Sequence, residues 1–183
     1  MPLIAGVDPG IAVTGIGVIR AEGSVLHHVH SEAVTPSRKG PFEQRLVEIF
    51  RRFGQLLDQY QPDAVALEDI FFSRNVKSAI KLAHVRGAVM AAAADRGIPV
   101  SEYPPLSVKK AVVGVGRADK TQVQQMVKML LGLEEAPTPL DVSDALAVAV
   151  CHANTSSTLV RLDSGGDVPT RGRRSGPRRG GRR

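Results

Sequence analysis

Short apolar runs separated by turn residues dominate the start of the chain. Runs at Leu3–Val7, Gly15–Arg20 and Val25–Val34 have the length of β-strands. Pro9 and Gly10 supply turn chemistry between the first two runs. We therefore predict three strands that pair as an antiparallel meander.

Beyond this meander, helical spacing alternates with shorter apolar runs. Apolar residues in segment 42–60 recur every three or four positions, which is typical of an amphipathic helix. Further helices are predicted over 75–96, with Gly97 as the C-terminal cap, from Asp119 onward, and over 140–153. Short strands fall between them at 64–67 and 99–103. This order favours an α/β fold with a mixed five-stranded sheet flanked by helices.

Four carboxylates stand at the ends of these predicted elements. Asp8 follows the first strand and Glu68 follows the fourth, whereas Asp141 and Asp144 lie three residues apart on one face of the last helix. Ligands of open α/β sheets bind beyond the carboxyl ends of the strands. If the first and fourth strands are neighbours, Asp8 and Glu68 lie side by side, and the last helix can add two more carboxylates.

Each acid also has an ordinary structural interpretation. The DPG sequence at Asp8 suits a turn, Glu68 suits a solvent-facing strand end, and Asp141 suits the first turn of a helix. Asp144 is followed directly by ALAVAV, where an unpaired carboxylate would be costly. As a set, the acids favour a site for Mg²⁺ or Mn²⁺. Four carboxylates can hold two ions about 3.5–4 Å apart for phosphodiester displacement.

Charge divides the chain into two parts. The net charge is +6 over 183 residues, but residues 169–183 contain seven arginines and no acid, so residues 1–168 carry −1. We predict one domain over 1–158 and a disordered Arg/Gly-rich tail over 159–183. The tail is either an arm that binds phosphates or an extension that aids solubility.

Cysteine content and the start of the chain bear on the compartment. The single cysteine, Cys151, excludes an internal disulfide, and no basic segment precedes the first apolar run. Both features favour the cytoplasm.

Candidate DNA contacts lie outside the acids. Phe71 and Phe72 are unusual neighbours in a chain with 4% aromatic residues, and a phenyl ring there suits wedging or stacking at a base step. Lys77 and Lys81 share a helical face, although such a face is more often only solvated. The basic candidates are Arg74, Lys77, Lys81, Arg86, Lys109, Lys110, Arg117 and Lys120.

Four ordered segments carry a resemblance to a known family. GVDPGxxxTGxGVI, ALED-x-FF, SVKKAVVGVGRADKTQVQ and LDVSDALAVAVCHA together resemble the RuvC Holliday junction resolvases, from about Leu3 to His152. The resemblance implies a ribonuclease-H-like fold, a homodimer and a Mg²⁺-dependent endonuclease that cuts four-way DNA junctions. It also implies the RuvA–RuvB branch-migration complex as a partner.

The same resemblance assigns roles to particular residues. It implies that Lys109 and Lys120 support catalysis and hold DNA, and that Phe71 stacks on an unpaired base near the junction centre. The positions that it implies are catalytic and metal-binding are Asp8, Glu68, Asp141 and Asp144.

The individual roles at a two-ion site are expectations from its chemistry. We expect Asp8 to bridge both ions, Glu68 and Asp144 each to complete one ion's shell, and Asp141 to bind metal or orient the water. Lys120 either offsets developing phosphate charge or is a solvent-exposed lysine.

A symmetric junction suits two active sites related by a two-fold axis. The Ala/Gly-rich helix at Ala79–Ala94 has small residues that permit close helix approach, so it is the candidate interface; close packing on the sheet is the alternative.

Three other functions fit parts of the sequence. VDPGIAVTG also resembles the phosphate-binding hairpin of actin-like or sugar-kinase ATPases, which need two such lobes. A DNA-binding module without catalysis would lack at least one of the four acids. A related ribonuclease-H-like nuclease on another structured nucleic acid differs from a resolvase only in substrate.

Overall fold

Residues 1–69 and 75–164 are described in a computed structural model, with side chains as far as residue 156. The strands are β1 (Leu3–Asp8), β2 (Thr14–Glu22), β3 (Val25–Val34), β4 (Ala64–Glu68) and β5 (Val100–Tyr103). The helices are α1 (Phe42–Tyr60), α2 (Val76–Ala94), α3 (Pro105–Val113), α4 (Lys120–Leu130) and α5 (Leu140–Ser164).

The strands form one mixed sheet in the order β3-β2-β1-β4-β5. β1, β2 and β3 pair antiparallel, whereas β4 runs parallel to both β1 and β5. The predicted meander and the five-stranded mixed sheet are therefore confirmed.

Helices cover both faces of the sheet because side chains alternate along each strand. Ala5 and Val7 point into a core shared with α1 and α2. Ile4 points the other way, into a core shared with α3, α4 and α5. Continuing the alternation, Asp8 and Glu68 lie on the face that α5 covers.

Glycine lets α5 approach this face closely. A Cβ at Gly6 would collide with the main-chain oxygen of Ala145, and a Cβ at Gly15 would collide with the main-chain oxygen of Asp141. At these two glycines the backbone of α5 therefore lies directly against β1 and β2. This contact carries the start of α5 to the carboxyl end of β1.

The structure differs from the predicted elements in two places. Helix α3 was not predicted, because its nine residues are too few to show a clear helical period. Its ends are nevertheless marked by Pro105 in the first turn and by Gly114, whose φ is 81°. Helix α5 continues past the predicted domain boundary at residue 158 to Ser164, and residues 165–183 of the predicted tail lie outside the described residues.

No helix in the described part of the chain is both long and apolar enough to span a membrane.

Candidate active site

Two of the four predicted acids leave the sheet side by side. β1 and β4 are neighbours, with Val7 opposite Leu67 in the parallel register, so Asp8 and Glu68 follow at adjacent strand ends. This confirms the strand adjacency on which the sequence argument depended.

The other two acids come from the first turns of α5. Gly10 lies in the loop directly after Asp8. A Cβ added to Gly10 would lie 3.8 Å from Asp141 Oδ1, so Asp141 is next to this loop. Asp144 lines a cleft together with Glu68. The structure therefore brings all four carboxylates to one end of the sheet.

The grouping changes the acidity of Asp8. Burial raises the pKa of this carboxyl to about 7, and the negative charges of Asp144, Glu68 and Asp141 contribute in that order. Lys120 acts in the opposite direction but is the smallest influence. Asp8 therefore interacts electrostatically with all three other acids, which makes it the centre of the cluster.

Glu68 is perturbed in the same direction. Burial, followed by the charge of Asp144, raises the pKa of this carboxyl. The nearby cations Lys120, Lys109 and Arg86 partly oppose this rise. A site in which two carboxylates resist ionisation favours a bound cation, because the cation stabilises their charged forms.

Lys120 belongs to this cluster. Its Nζ donates a hydrogen bond to Asp144 Oδ2 at 2.9 Å, and this bond raises the pKa of the lysine. A capping box between Asp119 and Gln122 fixes the start of α4, where Lys120 is the first residue. Two thirds of the Lys120 side chain is exposed, but its ammonium group is paired with Asp144.

The donor set fits a hard cation. All four acids offer carboxylate oxygens, the ligands that Mg²⁺ and Mn²⁺ prefer. Among the side chains that the structure describes, which end at residue 156, no three of His, Cys, Asp or Glu lie close enough together to hold a metal ion without rearrangement. An open group of carboxylates suits an ion that keeps several waters and also contacts substrate phosphate.

The clefts beside these acids are small. One has a volume of about 190 Å³ and includes Asp8, Glu68 and Arg86, and the next has about 80 Å³ and includes Lys109 and Lys120. Pockets that enclose small ligands usually measure about 300–1,000 Å³. Neither of these two clefts, among the described residues, is large enough to enclose a nucleotide.

The predicted DNA contacts divide by exposure. Lys77, Lys81, Lys110 and Arg117 are exposed, whereas Lys109 is partly buried in the wall of the smaller cleft. The ammonium group of Lys81 also lies 5.6 Å above the ring of Phe42. The predictions for Phe71, Phe72 and Arg74 lie outside the described residues.

Arg86 is a correction. The sequence predicts Arg86 as a DNA contact, but the residue is only 6% exposed and its guanidinium points inward to the end of β4. The helical period of α2 puts Arg86 beside Val85 on the buried face, and that signal was available in the sequence.

Thr14 is a site residue that the sequence argument missed. Its hydroxyl is fully buried and donates to the main-chain oxygen of Gly10 at 3.0 Å, which closes the loop after Asp8. Its place in the GVDPGxxxTGxGVI segment was the available sequence signal.

The mixed five-stranded sheet with its flanking helices places the chain in the ribonuclease-H-like fold class. The family model described as crossover junction endodeoxyribonuclease RuvC matches residues 4–152. The chain belongs to the RuvC family, as its motifs indicated. Nucleases of this family depend on a metal ion.

Individual relatives agree with this assignment. RuvC of Alkaliphilus metalliredigens is 51% identical over 153 residues, covering 84% of this chain and 93% of the relative. The Thermus thermophilus RuvC structure in complex with a Holliday junction substrate is 40% identical, with a TM-score of 0.83 over 86% of this chain and 96% of that one. The yeast mitochondrial Holliday junction resolvase shares the fold, with a TM-score of 0.62 at 13% identity over 90% of this chain and 84% of that one.

Proposed function

We propose that this chain is a structure-selective endodeoxyribonuclease that resolves four-way DNA junctions by symmetric paired nicking. The observation that carries the proposal is the convergence of four carboxylates and Lys120 at the carboxyl ends of β1 and β4, in a member of the RuvC family. The enzyme serves DNA recombination and repair in the cytoplasm, where the RuvA–RuvB branch-migration complex is its partner.

The four acids would hold Mg²⁺, with Mn²⁺ as a substitute, at two ions per subunit. Such ions would supply a lower pKa for the attacking water and neutralisation of charge on the leaving 3′-oxygen. The interaction of Asp8 with all three other acids supports a role for Asp8 toward both ions. Glu68 and Asp144 would each serve one ion, and Asp141 would either bind metal or orient the water.

Cationic side chains balance the charge that develops on the phosphate. Lys120, tied to Asp144, presents its ammonium group beside the carboxylates, where a fixed cation is most effective. Lys109 lines the same cleft. Exposed Lys77, Lys81, Lys110 and Arg117 hold the DNA backbone around this centre. From the sequence alone, Phe71, Phe72 and Arg74 are further proposed DNA contacts.

The most direct experiment is the cleavage of a synthetic four-way junction against a linear duplex of the same sequence, with Mg²⁺ and with a chelator. We expect cuts at symmetric positions in opposed strands of the junction only, and only with Mg²⁺. A flap and a replication fork of the same sequence test the second candidate, a nuclease for another structured nucleic acid. Faster cleavage of either than of the junction would favour that candidate, and no cleavage of any branched substrate by the folded protein would refute the enzyme.

Two active sites on one junction require a dimer, and α2 offers a surface for it. Its exposed face carries a stripe with the four- and three-residue spacing of a coiled-coil seam. The stripe, here called the α2 seam, consists of Val76, Ile80, Ala83, Gly87, Met90 and Ala94. Val76 and Ile80 are more than half exposed in the single chain, and Gly87 has open space around it. These features support a homodimer in which two copies of α2 pack closely.

A charge in the α2 seam is expected to separate the subunits. In Met90→Glu two carboxylates would face the apolar seam across the two-fold axis, at an expected cost of about 3 kcal/mol, which weakens dimerisation about 100-fold. Light scattering over a concentration series measures the shift toward monomer. Met129→Glu is the matched control, because Met129 is exposed on α4, outside the seam. A wild-type monomer, or a Met90→Glu dimer as tight as the control, would contradict the α2 interface.

A further inference from the structure

Arg86 is a buried cation on α2, and its partners among the described residues lie beyond its own helix. Its side chain is only 8% exposed. Nη1 donates a hydrogen bond to the main-chain oxygen of Glu68, the last residue of β4. Nη2 lies 2.8 Å from Glu102 Oε1 on β5, an ion pair outside hydrogen-bond geometry, and 3.9 Å from Asp69 Oδ1.

These contacts join three elements behind one carboxylate. The main chain of Glu68 is held by Arg86 at the point where β4 ends, and Glu102 anchors the same guanidinium from the neighbouring strand. Arg86 also lines the cleft that Asp8 and Glu68 line. Because a planar guanidinium presents several donors in a fixed arrangement, it can fix the direction in which a strand end points.

We propose that Arg86 is a positioning residue for the active site, which holds the end of β4 so that the Glu68 carboxylate stays aligned beside Asp8 for metal binding. The proposal rests on the proposed role of Glu68 as a metal ligand. In this role Arg86 acts through Glu68 and is not itself a ligand. It acts as the outer support of a ligand, and loss of such support typically weakens metal affinity about 10–100-fold.

The test measures metal binding without turnover. Free Mn²⁺ is titrated by electron paramagnetic resonance against the full-length protein without DNA, and half-saturating Mg²⁺ is measured in junction cleavage. For Arg86→Gln we expect both constants to rise about tenfold or more, while the cleavage rate at saturating Mg²⁺ falls no more than about threefold. Arg86→Lys keeps the positive charge but cannot span Glu68 and Glu102 together. Its two constants should therefore fall between those of the wild type and those of Arg86→Gln.

Two further variants separate positioning from general stability. Arg96→Gln is the matched control, because Arg96 follows the far end of α2 and pairs with Asp58 at 2.6 and 2.8 Å. Its Mn²⁺ affinity should equal that of the wild type. Glu102→Gln removes the carboxylate that anchors Arg86. Because the Glu102 side chain is 42% exposed, this variant replaces Arg86→Gln in the test if Arg86→Gln does not fold.

The outcomes distinguish the positioning role of Arg86 from the proposed nuclease function. If Arg86→Gln folds and its Mn²⁺ affinity is unchanged, the role of Arg86 is overturned and the proposed nuclease function stands. If Arg86→Gln does not fold, unchanged Mn²⁺ affinity in Glu102→Gln has the same meaning. Equal losses in Arg86→Gln and Arg96→Gln would show a general effect on the fold and also overturn it. A wild-type protein that neither binds Mn²⁺ nor cuts would refute the proposed function itself.

Discussion

Replacing Asp8 by asparagine is expected to abolish junction cleavage while making the metal-free protein more stable. Asp8 interacts with every other acid of the cluster, so the substitution removes the central negative charge available to the proposed ions. A loss of about 4 kcal/mol of transition-state stabilisation corresponds to about a thousandfold slower cleavage. Junction binding in Ca²⁺ or chelator should be retained, because the basic surface is untouched; cleavage near the wild-type rate would refute the metal role of Asp8.

The gain in stability follows from the pKa of Asp8. Folding raises this pKa from 3.8 to about 7, so the native chain keeps a proton that the unfolded chain has already released. The favourable contribution is complete below pH 3.8 and is lost as the pH rises to about 7; above that value the buried charge costs a few kcal/mol. Asparagine carries no charge and avoids this cost.

Thermal unfolding in chelator measures the difference. At pH 8 we expect the Tm of Asp8→Asn to exceed that of the wild type by at least about 5 °C, and the gap should narrow at pH 5. Mg²⁺ should then raise the Tm of the wild type and have much less effect on the variant. If Asp8→Asn is less stable than the wild type at pH 8 without metal, the buried charge of Asp8 does not destabilise the metal-free protein as expected.

A single methyl group at Gly15 is expected to damage both the fold and the site. The Cβ of Gly15→Ala would meet main-chain atoms of Asp141 and Val142, which cannot rotate away, so the start of α5 must shift. We expect a destabilisation of about 3 kcal/mol, which lowers the Tm by about 6–12 °C. The displacement of Asp141 should also weaken Mn²⁺ binding by the variant molecules that remain folded.

Gly116→Ala provides the matched control. Its Cβ would meet a terminal methyl group of Leu106, a side chain that can rotate, so the stability should change by less than about 1 kcal/mol. Wild-type Tm and Mn²⁺ affinity in Gly15→Ala would show that α5 does not lie on β2 as described.

Helical and strand periods predicted most of the architecture. The bounds of α1 agree with the predicted segment 42–60, and β3 agrees with Val25–Val34. Helix α2 begins at Val76, after Asn75, whose side chain caps it. These elements could be predicted because local spacing and end signals decide them. Helix α3 was missed because nine residues contain too few turns for a period to emerge.

The candidate site was predictable as a set of residues but not as a set of contacts. The sequence by itself determined that Asp8 and Glu68 end strands and that Asp141 and Asp144 share a helical face, because local periodicity decides both. Only the tertiary structure decided that Lys120 bonds Asp144 and that Arg86 supports Glu68. Those pairs join residues 24 and 18 positions apart on different elements, and the packing of helices on the sheet, rather than spacing along the chain, brings them together.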